Sequence, residues 1–383
     1  MDKILSFLAD ETGGKSYKSH KYNLEEIEKP TFVYDDKKNI TYPRGKVGET
    51  DKSGNIKCLS ELAKYLNENS QPLFRYFLDG SRRTYKVDDF AYGNRIYPVI
   101  AGQIGVGCCV RPNAKTFKNL ILEKHLVISL PDCMDYKDSD LYFNSKIEKI
   151  NNLEILKRRN INFHKIIPYP DRALKEGEKY EHKGIARIHD EMINLEKKVV
   201  EKLVKQRKLN VESYLLKDGS LEYSEKGAEK NYRLSLIKSN YKCVVGVSKA
   251  FNPELFKDNK GDSIATLIAD LKKYERTPAY KYVTDYVEDV EFCVWYLQIR
   301  DKEKTISPYD GILKIEKILS EEEKEKGLDS DEIDRISANL INESFPTCYG
   351  TDKRWANHLY PVYLTERFIK SNFLSEQFFL NLF

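Results

Sequence analysis

Three runs rich in apolar and β-branched residues follow one another between residues 72 and 131: PLFRYFL, RIYPVIAGQIGVGCCVR and NLILEKHLVISLP. Such runs predict strands, the middle one being a single long strand or a hairpin, so the first half of the chain reads as a β-meander. A different period follows. Ile185, Ile188, Met192, Leu195, Val199 and Leu203 recur at helical spacing and predict one long amphipathic helix. Beyond it, strand-like segments (ESYLLKDGSLEY, YKCVVGVSK, VEFCVWYLQIR, GILKIEKIL) alternate with helical ones, including a helix from about residue 262. A chain ordered in this way can bury its apolar faces only by laying helices on a mixed sheet, which is an α/β fold.

The flanking regions divide the chain into an N-terminal extension, residues 1–70, and a main domain, 71–383. The extension ends in CLSELAKYLNENS, read as a helix that opens on a serine. Residues 134–180 are polar and read as an irregular insertion. The segment 319–345, SEEEKEKGLDSDEIDRISANLIN and its flanks, reads as a charged, solvated helix or helix pair. YPVYLTERFIKSNFLSEQFFLNLF reads as a last amphipathic helix with an apolar tail, suited either to docking or to burial on its own domain. Gly102, Gly105 and Gly107 lie within a strand run rather than at a strand-to-helix turn, which points to close packing and not to a nucleotide loop.

Composition narrows the class. Of 383 residues, 40% are hydrophobic and 32% charged, the balance of a folded chain. No run approaches the roughly 18 apolar residues that a membrane helix needs, and the N-terminus lacks a basic region and a cleavage site. The expected location is the cytoplasm. Seven cysteines, without a C-x-x-C pair, argue against a disulfide framework or a cysteine-ligated zinc. The formal charge of +4 neither demands nor excludes nucleic acid. Basic clusters such as KNLILEK, LKRRNINFHK and KLVKQRK fit solvated faces as well as a phosphate track.

Two Asp-Gly-Ser tripeptides, Asp79-Gly80-Ser81 and Asp218-Gly219-Ser220, follow apolar strands. One Asp-Gly is an ordinary turn former. Two in matching settings, with a glutamate-bearing helix before the second, suggest acids projecting from strand ends into one crevice. Clustered carboxylates repel one another unless a cation lies between them, and Mg²⁺ and Mn²⁺ favour such oxygen ligands. Two such ions about 4 Å apart activate water and stabilise the leaving oxygen of a phosphodiester. Lys249, at the end of YKCVVGVSK, is placed either to meet a phosphate or to keep its charge in water at a strand edge.

The ordered set of motifs resembles the NurA family of nucleases. FLDGSRRTYKV is similar to its first Asp-Gly-Ser strand, IARIHDEMINLEKKVVEKL to its glutamate helix, and LLKDGSLEY to its second Asp-Gly strand. CVVGVSKAFNPEL, FCVWYLQIR, GILKIEKI and YPVYLTERF resemble the segments that follow, in the family's order from about residue 70 to 370. The resemblance implies a ribonuclease H-like mixed β-sheet flanked by helices, with N-terminal and inserted extensions. It implies Asp79, Glu196, Asp218 and Glu366 as metal ligands, with Lys249 as a further catalytic residue and Mn²⁺ or Mg²⁺, as a pair of ions, as cofactor. Glu191 is the alternative to Glu196. The family's histidine after the Tyr-Pro motif is missing, since no histidine follows Pro361; Glu366 takes its place, with His358 as the alternative. The implied activity is metal-dependent DNA cleavage, exonucleolytic or on single strands, in end processing or defence. The implied partners are DNA, a HerA-like hexameric ATPase and a second copy of the chain. Two other readings remain: an inactive subunit that binds DNA or the ATPase, and another ribonuclease H-like nuclease such as an Argonaute-type slicer.

Overall fold

The computed structural model describes residues 4–16, 21–23, 46–134, 139–174, 178–222, 230–257, 262–283, 290–305, 307–348 and 355–383. The three runs that open the core are three long antiparallel strands: β1 (Phe74–Tyr92), β2 (Arg95–Asn113) and β3 (Thr116–Pro131). The middle run is thus one strand. β4 (Lys165–Tyr169) joins β3 in parallel. After the long helix Tyr180–Lys205, β5 (Tyr214–Asp218) inserts on the other side of β1, and β6 (Val244–Ser248) adds beside β5, both in parallel. β7 (Tyr280–Val283), β8 (Glu291–Gln298) and β9 (Ile312–Ile318) complete the sheet as antiparallel neighbours, with β9 against β6. The sheet runs β7-β8-β9-β6-β5-β1-β2-β3-β4. Its centre, β3-β2-β1-β5-β6, joins an antiparallel meander to two parallel strands, the strand order of a ribonuclease H-like core.

Strand alternation divides the interior in two. Leu78, Ile100, Ile104 and Leu215 face the long helix and pack on Ile188, Met192, Leu195 and Val199. Phe77, Leu216, Val245 and Leu313 point the other way. They pack on Ile333, Ile336 and Leu340 of the helix Ser330–Glu343 and on Leu359 and Val362 at the helix Tyr360–Ser371. A third cluster wraps the far end of the β1–β2 hairpin. There Phe379, Leu382 and Phe383 bury themselves against Tyr85 and Phe90, so the apolar tail closes on its own protein.

Three expectations need correction. Asp79-Gly80-Ser81 is not a strand-end turn: β1 runs straight through it, each residue paired with β2. Only the second tripeptide turns, with Gly219 at φ +83°. Segment 134–180 is more regular than its polarity suggests. It holds the helices Ser139–Asn151 and Glu154–Arg159 as well as β4, anchored by a few buried residues such as Phe143, Ile150 and Leu156. Within 319–345 the helix Glu321–Lys326 is a solvated face, but Ser330–Glu343 is amphipathic and covers the sheet.

Two short strands of the N-terminal extension are built into the sheet, ahead of the helix Ser60–Asn69. Lys46–Val47 pairs with β7, and Lys57–Cys58 pairs with Glu275–Arg276. Arg276, fully buried, donates to both carboxylate oxygens of Glu49 at 3.1 and 2.9 Å and pairs with Asp334. Among the described residues no helix is long and apolar enough to cross a membrane, and all seven cysteines are free.

Candidate active site

Asp79 and Asp218 meet at the join between β1 and β5. The parallel register pairs Leu78 with Lys217, so the next residue of each strand, Asp79 and Asp218, projects on the face opposite the long helix. On β2 the partner of Asp79 is Gly107. Neither Gly107 nor Gly105 has a side chain to hold the next layer away. A Cβ on Gly105 would stand 2.5 Å from Ile369 Cγ2, and one on Gly107 would stand 2.6 Å from Ile369 Cγ1. These glycines therefore let the helix Tyr360–Ser371 press onto the sheet. Glu366, three residues before Ile369 and on the same helical face, is carried to the acids below.

Lys249 closes this group. It follows β6, and its Nζ lies 2.8 Å from Asp218 Oδ2. Burial works to lower its pKa, but Asp218, Asp79 and Glu366 outweigh that and hold the ammonium above its ordinary value. Burial likewise pushes the Asp79 carboxyl well above the usual carboxylate range. Asp218 adds to the rise, Lys249 opposes it, and Glu366 and Glu196 add smaller amounts. Asp79 and Lys249 are nearly inaccessible, whereas Asp218 and Glu366 each keep 19% of their side chain exposed, so solvent reaches the group at these two. At the rim, Lys370 reaches Glu366 at 2.6 Å.

Glu196 comes from the other face. Its Oε1 would be 2.5 Å from a Cβ on Gly80, so the missing side chain of Gly80 allows the long helix to bring this carboxylate up to β1. There it meets Lys217 rather than the aspartates, with Lys217 Nζ 3.1 Å from Glu196 Oε2. Burial raises the Glu196 pKa and Lys217 draws it down, the net direction being up. Lys217 also donates to the carbonyls of Asp218 (2.8 Å) and Ser220 (3.3 Å), which fastens it to the turn. Of the two alternatives, Glu191 pairs with Lys165 at 3.1 Å. His358 is buried, its ring edge-on to Tyr363, and its carbonyl accepts from Arg300.

Two further groups could not be singled out from the motifs. Lys217 looks like any strand lysine until the register places it beneath Glu196. Glu316 on β9 is fully buried, and its Oε2 accepts from Ser220 Oγ and from the Leu221 amide, both at 2.8 Å. Lys314 Nζ lies 2.8 Å from Glu316 Oε1. This pair clamps the turn that follows Asp218. The alternation of charged and apolar residues in ILKIEKI was the available signal.

The donor chemistry fits a hard divalent cation, since Asp79, Asp218 and Glu366 offer carboxylate oxygens and burial leaves Asp79 short of counter-charge. As the side chains stand, no three acidic, histidine or cysteine groups among the described residues are gathered tightly enough to hold an ion. The ammonium of Lys249 stands against Asp218 where an ion would be expected. Two members of the basic clusters are paired one helical turn away, Arg158 with Glu154 and Lys205 with Glu201, as on solvated faces.

Fold and site together define a mixed α/β protein with a ribonuclease H-like strand order and a buried acidic centre where its parallel strands begin to part. Comparison with known proteins finds no matching family model and no matching curated protein. Among solved structures, the chain is similar to the NurA nuclease from Sulfolobus solfataricus. That match covers 81% of this chain and 86% of the other, at 11% identity and a TM-score of 0.40.

Proposed function

We propose that the protein is a metal-dependent nuclease that hydrolyses phosphodiester bonds in DNA. The observation that carries this reading is the side-by-side placement of the buried Asp79 and the partly buried Asp218, with Glu366 and Lys249 closing on them from separate elements. Burying like charges together is costly unless a cation compensates them, and such arrangements cluster at functional sites. Mn²⁺ or Mg²⁺ would be held by Asp79, Asp218 and Glu366, and when bound it would supply Lewis-acid activation of water and of the phosphoryl group.

The chain's own groups do the rest. A phosphodiester would reach the centre at Asp218 and Glu366, its two partly exposed acids. Lys249, kept protonated by its three acidic neighbours, supplies a fixed positive charge to a phosphate oxygen as negative charge develops there. Lys217 and Glu316 hold the turn after Asp218, so that carboxylate keeps its direction when the substrate arrives. Glu196, on the other face, supports β1 at Gly80 and is held by Lys217.

The test is cleavage of single- and double-stranded DNA and of RNA with Mn²⁺ or Mg²⁺, by the wild type and by Asp79→Ala. DNA cleavage that vanishes in the variant while DNA binding persists supports the reading; a wild type that cuts nothing sinks it. One observation favours a second reading, that of a binding subunit without activity: the acids are not gathered into a ready-made cage. The HerA-like ATPase and the homodimer rest on the resemblance of the motifs alone. Co-purification with such an ATPase and sizing of the full chain would test them.

A further inference from the structure

Beside the helix that carries Glu366 lies a cavity of about 390 Å³, lined by none of the acids of the centre. Its walls come from the end of the helix Ser60–Asn69, the β2–β3 turn, the end of the helix Ser330–Glu343 and the start of the helix Tyr360–Ser371. Three rings line it: Phe117, Phe345 and Tyr360. Phe345 is a large apolar side chain left 52% exposed, and the Arg300 guanidinium sits 5.3 Å from its centroid. Asn67 and Asn342 add carboxamides. Asn342 donates from its nitrogen to the Ala63 carbonyl at 2.9 Å, and its oxygen has no donor among the described residues. On another wall Arg111 forks onto the buried Glu343, which cancels both charges. The exposed Lys115 at the β2–β3 turn therefore leaves the lining net positive.

We propose that this cavity receives one unpaired nucleobase of the DNA strand being cut, and so selects single-stranded over duplex DNA. The proposal rests on reading the acidic centre as that of a nuclease, and it adds a base subsite on the path of the strand.

Chemistry and position both favour a base. A nucleobase presents flat π-faces and an edge of donors and acceptors, which rings and carboxamides meet together. A net positive rim suits the phosphates on either side of it. The size falls within the range of about 300–1,000 Å³ found for small-molecule sites. The route to the acids is short. The ring of Phe117 packs on that of Phe77, 5.6 Å between centroids, and the Arg111 guanidinium lies 5.0 Å from the same Phe77 ring. Phe77 stands two residues before Asp79 on β1 and so points to the same face. Arg111 is four residues along β2 from Gly107, the partner of Asp79, a distance of about 13 Å. Along the covering helix, Tyr360 precedes Glu366 by six residues, a rise of about 9 Å. At about 3.4 Å per stacked nucleotide, the cavity is about three or four nucleotides from the acids. A base inside a duplex reaches it only by leaving its partner, which costs pairing and stacking.

The experiment measures binding of the full-length protein, in chelator, to a short fluorescent oligothymidylate and to an abasic strand of equal length, by fluorescence anisotropy. The wild type should prefer the strand with bases by about tenfold or more, the scale of one base stacked on an aromatic ring. Phe345→Ala should narrow that preference to about threefold or less. Asn67→Trp, which fills the cavity from an exposed helix position, should do the same. Phe345→Trp should keep the preference, and affinity for a blunt duplex should change in none of the variants. Equal affinity of the wild type for both strands overturns the proposal, and so does an unchanged preference in either folded variant. Should Phe345→Ala not fold, Asn67→Trp decides. If the preference is unaltered while Asp79→Ala abolishes cleavage, the nuclease reading stands and only this inference fails. If the wild type neither binds a strand nor cuts DNA, both fail.

Discussion

Asp79 and Asp218 are neighbours across two parallel strands, one step past the Leu78–Lys217 pair, although 139 positions separate them in the chain (218 less 79). One aspartate sits in the middle of a long strand and the other at the last residue of a short one. Because β5 stops there while β1 continues, the pair opens onto the crevice instead of being roofed by further strand. The glycine opposite Asp79 and the bare flank at Gly80 then let two different helices deliver a carboxylate each, one to either face.

Substitution within the helix carrying Glu191 and Glu196 should separate the two. Asp79→Ala is expected to reduce Mn²⁺-dependent cleavage by about 10³-fold or more, the order found when a group acting on the reacting centre is removed. Glu196→Gln should cost less, since it loosens Lys217 and β1 without stripping the open face. Glu191→Gln should leave the rate within a factor of about two, because its partner is Lys165, a half-exposed lysine outside the acidic centre, and pairs open to solvent contribute little. Equal losses in both glutamate variants would contradict this ordering.

Stability of the metal-free protein should fall as pH rises above the carboxylate range. Asp79 and Glu196 both have folded-state pKa values raised by burial, so the folded chain holds these protons more tightly than the unfolded one. That contribution is complete below the unfolded values of about 3.9 to 4.3 and is lost as pH rises through the folded values. Asp79→Asn removes one share, so it should be more stable than wild type at the alkaline end and show a shallower slope. Melts in chelator between about pH 5 and about pH 9 read this directly, and parallel curves would count against it.

Gly107→Ala should move the helix that bears Glu366. The new Cβ would stand 2.6 Å from Ile369 Cγ1, closer than packed carbons allow. The expected cost is about 1–3 kcal/mol by chemical denaturation, the range for overpacked interiors. Cleavage should drop along with it as Glu366 is lifted. An Ile369→Ala change in the same chain removes both Cγ1 and Cδ1, the atoms the new Cβ would meet, so it should relieve the clash and restore part of the cleavage.

Glu49→Ala should be among the most damaging single changes outside the centre. It leaves the fully buried Arg276 with Asp334 as its remaining carboxylate. Breaking one side of a buried ion pair costs about 3–5 kcal/mol. Denaturant unfolding would show this, and a loss below about 1 kcal/mol would mean that the N-terminal segment is not anchored through this residue.

Much of the site was readable residue by residue. The acids at 79 and 218 stand out because each Asp-Gly-Ser follows an apolar run, and the glutamate of the long helix stands out because Leu195 marks the buried stripe beside it. The turn assigned to Asp79-Gly80-Ser81 was wrong for a physical reason. Asp-Gly favours a turn only when glycine's positive φ is used, and here β2 supplies an unbroken partner that keeps Gly80 extended. Segment 134–180 was hard to read because its buried residues are few and scattered, and they gain their partners from the long strands β1–β3 and from the N- and C-terminal helices, all remote in the chain.

Local periodicity by itself determined which runs become strands and which becomes the long helix, since a spacing of two or of three and four is a property of neighbouring residues. It also marked the acids as candidates. Only the tertiary structure decided which carboxylates share a face. Lys217 and Asp218 are adjacent in the chain yet point to opposite sides, and the β1–β5 register joins one to Glu196 and the other to Asp79, Lys249 and Glu366. Side chains alternate every residue along a strand, so a slip of one position would have exchanged these partners.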